Sequence, residues 1–361
     1  MRIAHLVAHP GLNGVATACH ALINAQQDAG HDVLLVAMTD AWLPKQPFRR
    51  MPHIIVSDMP TRPDEIRRVG YAIRDWRPDA IHCHGSRANK YGMIYRIAAG
   101  SPVVTTAHAR KIQLPWMFFR AIIAPSRQTA DFHRRFNLVA RRKLHVVSNI
   151  VDIDRVRPVS QETRTRIRGE FGFDDETFVI AVVGHICARK NQIDALRIVN
   201  HLAARGHPVR LLLVGGTEGQ GEMTGWNELL ADPVVRRNTI LTGHRDDALD
   251  IMDGIDTLLS VSKIEEGSIV ILEALAKEIP VVGYRTGQTA DLLTDGDDAL
   301  TTDIGDVGAT VERLERLIAD RTLAHGIGAE GRKTLERECS PQAVVAALDR
   351  IYADIAAEAG G

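Results

Sequence analysis

Short apolar segments alternate with amphipathic segments along almost the whole chain. In the first part of the chain the apolar segments are residues 2–8, 31–38, 80–84, 102–108, 121–125 and 144–149. The segments between them that have helical periodicity are residues 15–30, 63–76, 87–99 and 126–136. Buried parallel strands are short and apolar, so this alternation predicts a parallel sheet covered by helices.

The same alternation starts again at residue 178. The apolar segments are residues 178–184, 209–216, 238–243, 257–262 and 280–284. The helical segments are residues 190–205, 245–253, 268–278 and 306–321. Two successive runs of strand–helix units predict an α/β protein with two Rossmann-like sheets. The seam is the polar segment 148–164, and residues 340–360, with Ser340 as N-cap and Pro341 at the first helical position, predict a C-terminal helix.

The composition is that of a globular protein, and its length exceeds that of one ordinary core. The chain has 361 residues, of which 45% are hydrophobic and 25% are charged. No apolar run reaches the roughly 18 residues of a membrane span. The first residues, MRIAHLVAHPGLNG, are interpreted as a strand rather than a signal peptide. Four scattered cysteines indicate reduced thiols, as in a cytosolic protein.

Charge is distributed unevenly, although the net charge is −1. Residues 1–157 carry 23 Lys and Arg against 11 Asp and Glu, about +12, and residues 158–361 carry 21 against 34, about −13. Two domains that attract each other would have this distribution. A first domain that faces an anionic membrane surface or a phosphate-bearing acceptor would have it too, and both interpretations stay open.

Two segments of the basic half suggest contact with a membrane surface. RRFNLVARRK, residues 134–143, has five basic residues, and LPWMFF, residues 114–119, is a bulky apolar cluster. Basic and aromatic groups together are typical of a protein that lies on a membrane. A helix in the protein core is an equally good explanation of residues 114–119.

Candidate site residues follow the predicted strands. Ligands of open α/β sheets bind at the carboxyl ends of the strands. The residues in such positions are Gly11, Gly14, His82, His84, His108, Gly184, His185, Lys190, Gly215, Gly216 and the segment Glu265–Ser268. They indicate one ligand-binding edge for each predicted sheet.

The segment EEGSIVILEALAKEIPVVGY, residues 265–284, suggests a nucleotide-sugar site. Gly267 and Ser268 precede a predicted helix, whose N-terminal N–H groups and partial positive charge favour a phosphate. Lys190, on a neighbouring loop, would add a full positive charge. Glu265 can then reach sugar hydroxyls, and Glu273, inside the helix, can accept hydrogen bonds from a ribose.

Metal and dinucleotide sites are the less favoured alternatives. His82 and His84 share one face of a strand, as two metal ligands would, but no third ligand is apparent, and buried structural histidines explain them better. Asp152-Ile153-Asp154 resembles a metal clamp but lies in the linker and is interpreted as chance. Gly11 and Gly14 lack the full dinucleotide fingerprint.

In its ordered set of motifs the chain resembles the retaining glycosyltransferases of family 4, which have the GT-B fold. The resemblance covers nearly the whole chain. The stretches that carry it are AIHCHG (80–85), TTAH (105–108), AIIAPS (121–126), SNIVDIDRVRP (148–158), VGHICARKNQ (183–192), EEGSIVILEALAKEIPVV (265–282) and YRTGQTADLLTDGDDAL (284–300). The family signature of two glutamates separated by seven residues corresponds to Glu265 and Glu273.

The resemblance implies two facing Rossmann-like domains with a cleft between them. An acceptor-side domain would span residues 1–157 and a donor-binding domain residues 158–340. The helix of residues 341–361 would pack back on the first domain. No metal and no cofactor is expected.

The resemblance also implies roles for individual residues. Lys190, Glu265 and His108 would be catalytic: Lys190 neutralises the diphosphate, Glu265 contacts the sugar and His108 lies near the transferred group. The donor-binding residues would be Gly14, Gly184, His185, Arg189, Glu266, Gly267, Ser268, Ile269 and Glu273. The departing phosphate would take the proton of the acceptor hydroxyl.

The implied function is transfer of a hexose-type sugar from UDP or GDP to a glycan, lipid-linked or lipopolysaccharide-type acceptor. The protein would be cytoplasmic, at times on the inner membrane surface, with no nucleic-acid partner. A sugar-nucleotide epimerase of the same fold and a degenerate, non-catalytic nucleotide-sugar-binding protein are the alternatives.

Four positions depart from the family pattern. His185 replaces an arginine, so it brings less charge to the leaving group, for which Arg189 would partly compensate. The first-loop Gly-Gly is Asn13-Gly14. In the later loop, Gly-Gly is Gly287-Gln288 and the acid is Asp291.

Overall fold

The protein is described by a computed structural model that covers residues 1–217 and 223–360. The chain forms two units, one of residues Met1–Asp152 together with the C-terminal residues from Cys339, the other of residues Ile153–Glu338. Residues 218–222, inside the predicted donor-binding domain, and Gly361, at the end of the predicted C-terminal helix, lie outside the described residues.

The first unit is built on a seven-stranded parallel sheet in the order β3-β2-β1-β4-β5-β6-β7. Its strands are β1 (Arg2–Val7), β2 (Asp32–Ala37), β3 (His53–Val56), β4 (Ala80–His84), β5 (Val103–Thr106), β6 (Ala121–Ala124) and β7 (Leu144–Val146). Its first helices are α1 (Gly14–Asp28), α2 (Pro63–Trp76), α3 (Ser86–Ala99) and α4 (Arg127–Phe136). The strand order reverses between β1 and β4, so their carboxyl ends border the crevice where such sheets bind ligands.

The second unit has a six-stranded parallel sheet in the order β10-β9-β8-β11-β12-β13. Its strands are β8 (Phe178–Val183), β9 (Val209–Val214), β10 (Thr239–Gly243), β11 (Thr257–Ser260), β12 (Val281–Tyr284) and β13 (Leu300–Thr302). Its helices are α5 (Gln161–Phe171), α6 (Gln192–Ala204), α7 (Trp226–Ala231), α8 (Pro233–Asn238), α9 (Ala248–Asp253), α10 (Ile269–Ala276), α11 (Gln288–Leu292), α12 (Val307–Ala319) and α13 (Arg321–Glu338). Here the reversal lies between β8 and β11. The prediction of two Rossmann-like sheets is therefore confirmed.

Every predicted strand is present within a few residues, but two edge strands were not predicted. Strand β3 has only four residues, HIIV, and β13 has three, LTT. Segments of this length carry too little alternation to be recognised, and they form because the neighbouring strand offers its backbone groups. Helices α5, α7, α8, α11 and α13 were not predicted either. Helix α5 is polar, α13 contains three glycines, and α7, α8 and α11 are only 6, 6 and 5 residues long.

Neither interpretation of residues 114–119 is complete. The segment contains a short 3₁₀ helix, Leu114–Phe118. Trp116 and Phe119 are buried in the core of the first unit, whereas Phe118 is 60% exposed and Met117 is 36% exposed. Eclipsed side chains three residues apart in a 3₁₀ helix give the segment both a buried and an exposed side.

The C-terminal helix, α14 (Pro341–Gly360), packs on the first unit. Its buried face contributes Val344, Leu348, Ile351, Tyr352 and Ile355 to a core that also contains side chains of β1 and α1. In the part of the chain that the structure describes, no helix is both long enough and apolar enough to span a bilayer.

Candidate active site

In the second unit the loop between β8 and α6 carries the predicted phosphate-neutralising lysine. Gly184 follows the strand with φ +134°, and the Cε atom of Lys190 would lie 3.8 Å from a Cβ at this glycine. Asn191, the next residue, adopts a left-handed conformation, and its amide donates to Asp194 at 2.6 Å. The loop is thereby anchored to the start of α6, and Lys190 is directed across Gly184.

The structure brings Lys190 and Glu265 together as an ion pair. The Nζ atom of Lys190 lies 2.5 Å from Oε2 of Glu265, and the carboxylate also accepts from the Ser262 hydroxyl at 3.3 Å. Glu265 is only 5% exposed. Burial by itself raises the pKa of Glu265, but Lys190, Arg189 and Ser262 outweigh it, so the net pKa is lowered and the carboxylate is ionised.

Arg189 extends this charge cluster. Its guanidinium lies 3.6 Å from a carboxylate oxygen of Glu265 and 3.6 Å from one of Glu266, and it donates to the carbonyl of Ile264 at 2.9 Å. His185, which replaces the family arginine, is exposed. Arg189 is thus directed at the two glutamates in this structure.

Helix α10 begins directly after the glutamate pair. Ser268 is the N-cap residue, but no hydrogen bond from its side chain caps the helix, and Gly267 precedes it in the turn. Ile269 is the first helical residue. The N–H groups of this first turn have no partner inside the helix, as in helix termini that bind anions.

Glu273 lies in the second turn of α10 and is partly buried. Burial raises its pKa from the usual 4.5 to about 7, although Lys277 and Arg155 lower it. The protonated and ionised forms of this carboxyl are therefore comparably populated near neutral pH. The two glutamates of the signature consequently differ, because Glu265 is paired with cations and Glu273 is held mainly by its burial.

Two glycines allow the loops around this cluster to approach closely. A Cβ on Gly287, whose φ is +54°, would lie 1.9 Å from the carbonyl oxygen of Glu265. A Cβ on Gly215, whose φ is +152°, would lie 2.2 Å from the carbonyl oxygen of Gly184. No side chain fits at either position, so glycine is required for the backbone geometry of the site.

In the first unit the predicted site residue His108 belongs to a cluster of histidines. Its Nε2 atom lies 3.2 Å from Nδ1 of His84, and Nε2 of His84 lies 3.0 Å from Nδ1 of His5. His5 then contacts the Gln26 side chain at 2.7 Å. Burial lowers the pKa of His5 to about 4 and that of His108 to about 3, the latter with a smaller contribution from His9, so both imidazoles are neutral.

His5 and Gln26 are members of this cluster that the sequence did not reveal. Strands β1 and β4 are neighbours in the sheet, and their register places His5 beside His82. The pairing of strands distant in the chain is needed to see this. The sequence did contain one indication, because His5 has a position in the first predicted strand that corresponds to the position of His82 in its own strand.

Three of these histidines have the ring nitrogens of a possible metal site. Among the described residues, ligand atoms of His5, His82 and His84 lie within 4.8 Å of one another. However, the rings of His82 and His84 are stacked at 4.2 Å with an interplanar angle of 29°, so their in-plane lone pairs are close to parallel. Hydrogen bonds at 2.7–3.2 Å occupy these nitrogens. The cluster fits a hydrogen-bonded network better than a metal site.

Gly14 is the first residue of α1 and is exposed. Asn13, at the departure from the family Gly-Gly, is the N-cap of that helix, and its side chain accepts from the N–H of Ala16 at 3.0 Å. The asparagine therefore has a local structural role, since its side chain accepts from the N–H group of Ala16, which a glycine at this position would leave without a side-chain partner.

Comparison with known proteins finds a glycosyltransferase family model in each unit. The family model "Glycosyltransferase Family 4" matches residues 12–155, and the model "Glycosyl transferases group 1" matches residues 163–334. The capsular polysaccharide biosynthesis glycosyltransferase CapM of Staphylococcus aureus is 27% identical over 189 residues, 52% of this chain and 49% of that protein. The putative glycosyltransferase EpsD of Bacillus subtilis is 24% identical over 75% of each chain.

The chain therefore spans only about half the length of CapM, the first of these relatives. Among solved structures, Anabaena HepE in complex with UDP and glucose superimposes with a TM-score of 0.80 at 15% identity, over 96% of this chain and 98% of HepE. This likeness shows that the protein has the GT-B fold.

Replacing Gly287 by alanine is expected to destabilise the second unit. The new Cβ would displace the backbone at Glu265, in addition to the strain of a positive φ, so the free energy of unfolding should fall by about 3 kcal/mol. Gly296→Ala is the matched control, because its φ is +84° and nothing lies within 4 Å of a Cβ there. It should cost only about 1 kcal/mol in denaturant unfolding. Equal losses for both variants would contradict the close approach.

Glu273 should make stability depend on pH in a recognisable direction. Its folded pKa of about 7 lies above the usual 4.5, so the folded protein keeps a proton that the unfolded chain releases, and stability is lost as pH rises between these values. In Glu273→Gln this loss is absent, so from pH 5 to pH 8 the variant should gain about 1–3 kcal/mol over the wild type.

Denaturant unfolding of both proteins at the two pH values measures this difference. The buried histidines titrate in both proteins, so their contribution cancels. Parallel pH profiles would show that Glu273 is already ionised in the folded state at neutral pH.

Proposed function

The chain belongs to glycosyltransferase family 4, and from this we propose that it transfers a hexose-type sugar from a nucleoside diphosphate to a hydroxyl group with retention of configuration. The observation that carries the proposal is the ion pair of Lys190 and Glu265 beside the start of α10, with Glu273 in the second turn of the same helix. It combines a cation, a helix N-terminus and two carboxyl groups within one unit, one with a lowered and one with a raised pKa.

This arrangement suits a nucleotide sugar. A diphosphate would bind the N–H groups of the first turn of α10 and the ammonium group of Lys190. Lys190 would then share its charge between the leaving diphosphate and Glu265. Glu265 would also accept hydrogen bonds from sugar hydroxyls, and Glu273 from the ribose. The protein would act by positioning and by stabilising the charge that develops on the leaving group.

The proton of the acceptor hydroxyl would pass to the departing phosphate, so no general base of the protein is required for that step. Lys190 and the helix N-terminus would stabilise the negative charge of the leaving diphosphate, as a metal ion does in other enzymes. Turnover in the presence of EDTA is therefore expected to equal turnover without it.

Relatives guide the choice of donor and acceptor. UDP and glucose are bound by HepE, and CapM belongs to capsular polysaccharide biosynthesis, as their names state. We propose a UDP- or GDP-sugar as the donor and a glycan, lipid-linked or lipopolysaccharide-type hydroxyl as the acceptor.

A donor panel followed by a lysine variant tests the proposal. Thermal unfolding is measured with UDP-, GDP- and ADP-sugars and with NAD as control. A ligand at 100 times its dissociation constant stabilises by about 2.7 kcal/mol. With the donor so found, Lys190→Ala should lower kcat by about 10²-fold or more, because an interaction with the leaving group is lost, whereas Glu273→Ala should mainly weaken nucleotide binding.

Lys263→Ala is the control for Lys190→Ala, since Lys263 is an exposed lysine near the same loops. Unfolding of each variant shows whether loss of the cation beside buried Glu265 has disturbed the fold. Stabilisation by NAD alone, or wild-type turnover in both site variants, would contradict the proposal. Binding of a nucleotide sugar without transfer would indicate the degenerate binding protein.

We propose in addition that the first unit binds an anionic membrane surface. The two segments singled out in the sequence are adjacent, because Asn137 accepts from the N–H of Gln113 at 2.5 Å and donates to the carbonyl of Lys111 at 2.9 Å. Lys143 donates to the carbonyl of Met117 at 2.8 Å. We call residues 111–118 and 134–143 together the basic-apolar surface.

Large apolar side chains are exposed within this surface. Ile112, Phe118, Phe136 and Leu138 are 66%, 60%, 44% and 63% exposed. Burial and the positive charges of Arg142, Arg120 and Arg96 lower the pKa of Lys143, as expected where cations are crowded. Apolar side chains among cations suit the boundary between anionic headgroups and acyl chains.

Vesicle binding tests this part of the proposal. The protein should sediment with vesicles rich in anionic lipid, more weakly with neutral ones, and be released as salt is raised. Phe118→Ser with Leu138→Ser should weaken binding to anionic vesicles. Met51→Ser is the control, because Met51 is 64% exposed and precedes β3 at the opposite edge of the sheet. Salt-independent binding, or equal binding by all variants, would contradict it.

A further inference from the structure

The histidine cluster of the first unit forms a branched chain of hydrogen bonds that begins at Gln26. One branch runs from Gln26 through His5 and His84 to His108. The other runs from Gln26 to the Tyr352 hydroxyl. Gln26 is fully buried in helix α1, and His108, at the other end of the first branch, is partly exposed. The network thus connects a buried amide to a predicted site residue.

The amide oxygen of Gln26 determines the direction of the first branch. Oε1 of Gln26 lies 2.7 Å from Nε2 of His5 and can only accept, so Nε2 of His5 carries the proton. A neutral imidazole has one N–H, so Nδ1 of His5 accepts from Nε2 of His84. Nδ1 of His84 in turn accepts from Nε2 of His108. The Nδ1 atom of His108 is left without a proton.

The second branch fits the same orientation of the amide. Nε2 of Gln26 donates to the Tyr352 hydroxyl at 3.3 Å, and that hydroxyl donates to Nδ1 of His82 at 2.7 Å. Nε2 of His82 then donates to the Thr106 hydroxyl at 2.7 Å. Turning the amide over would reverse the first branch, so the Gln26 side chain sets the tautomers of His5, His84 and His108.

We propose that Gln26, His5 and His84 are positioning residues that hold His108 as its Nε2–H tautomer and present Nδ1 of His108 as a hydrogen-bond acceptor. In the proposed glycosyl transfer, on which this catalytic reading rests, Nδ1 accepts from a hydroxyl of the transferred sugar. His108 therefore orients that group and transfers no proton.

Burial makes this arrangement persistent. His5, His82 and His84 are at most 2% exposed, and a buried hydrogen-bonding group without a partner is costly. Breaking one bond in the chain forces its neighbours either to lose a partner or to change tautomer. The orientation of Gln26 is consequently transmitted to His108 over two intervening rings.

Histidine-selective ¹⁵N labelling and long-range ¹H–¹⁵N correlation measure the tautomers directly, with His108→Asn used to assign the signals. In the wild type, Nε2 of His108 should be protonated and Nδ1 should not. In Gln26→Met, which has a similar volume but no amide, His108 should become a mixture of tautomers. Its kcat should fall about tenfold, equal to about 1.4 kcal/mol, with the donor KM unchanged.

Three further variants separate this role from a merely structural one. Gln26→Glu keeps an acceptor towards His5 and should preserve the His108 tautomer. Tyr352→Phe removes an equally buried hydrogen bond of the other branch and should also preserve it. Gln27→Met changes the next buried glutamine of α1, which lies outside the network, and should leave tautomer and kcat unchanged.

An Nδ1–H signal from His108 in the wild type would overturn the proposal without any variant. So would an unchanged His108 tautomer in Gln26→Met, or stoichiometric zinc in the purified protein in place of the histidine N–H signals. Absence of turnover with every nucleotide sugar would instead refute the proposed glycosyl transfer. The tautomer measurement then still decides whether Gln26 positions His108.

Discussion

The ion pair between Lys190 and Glu265 is the interaction on which the candidate donor site depends. Two loops that follow the adjacent strands β8 and β11 meet through it, and Gly215 and Gly287, on neighbouring loops, let the backbone approach these two loops closely. Removing one partner of such a buried pair leaves an uncompensated charge and commonly costs about 3–5 kcal/mol. The pair therefore has to be maintained whether or not a ligand is bound, and it constrains every other group in the loops.

The same pair limits how much positive charge the site offers. Lys190 and Arg189 are balanced by Glu265 and Glu266, so the four side chains carry no net charge. The N-terminus of α10 then supplies the excess positive potential for an anion. This balance also explains how the cationic side chains of Lys190 and Arg189 can lie around the same carboxylate. The presence of His185 in place of the family arginine leaves this balance unchanged, because that side chain is exposed and lies outside the cluster of four.

Much of the fold and part of the site follow from the sequence in physical terms. Apolar strands flanked by glycine and histidine predicted the two sheets and the residues at their carboxyl ends. The contact between Lys190 and Glu265 was not predicted, because the sequence suggested two separate ligand contacts for residues 75 positions apart. Gln26 gave no signal in a helix with many small and polar residues. The role of Gln26 in the histidine network depends on the register between β1 and β4, and local sequence patterns do not reveal that register.

The two units use opposite electrostatic solutions at their strand ends. Full charges are paired in the second unit, whereas the first holds neutral imidazoles whose pKa values burial lowers. Helix α14, which follows the whole second unit in the chain, supplies the Tyr352 hydroxyl of that neutral network. During synthesis the first unit must therefore wait for some 200 further residues of chain before the network is complete. A ribosome-bound first unit would have its sheet but would lack Tyr352, so the branch of the network that runs through His82 is completed only after α14 has been made.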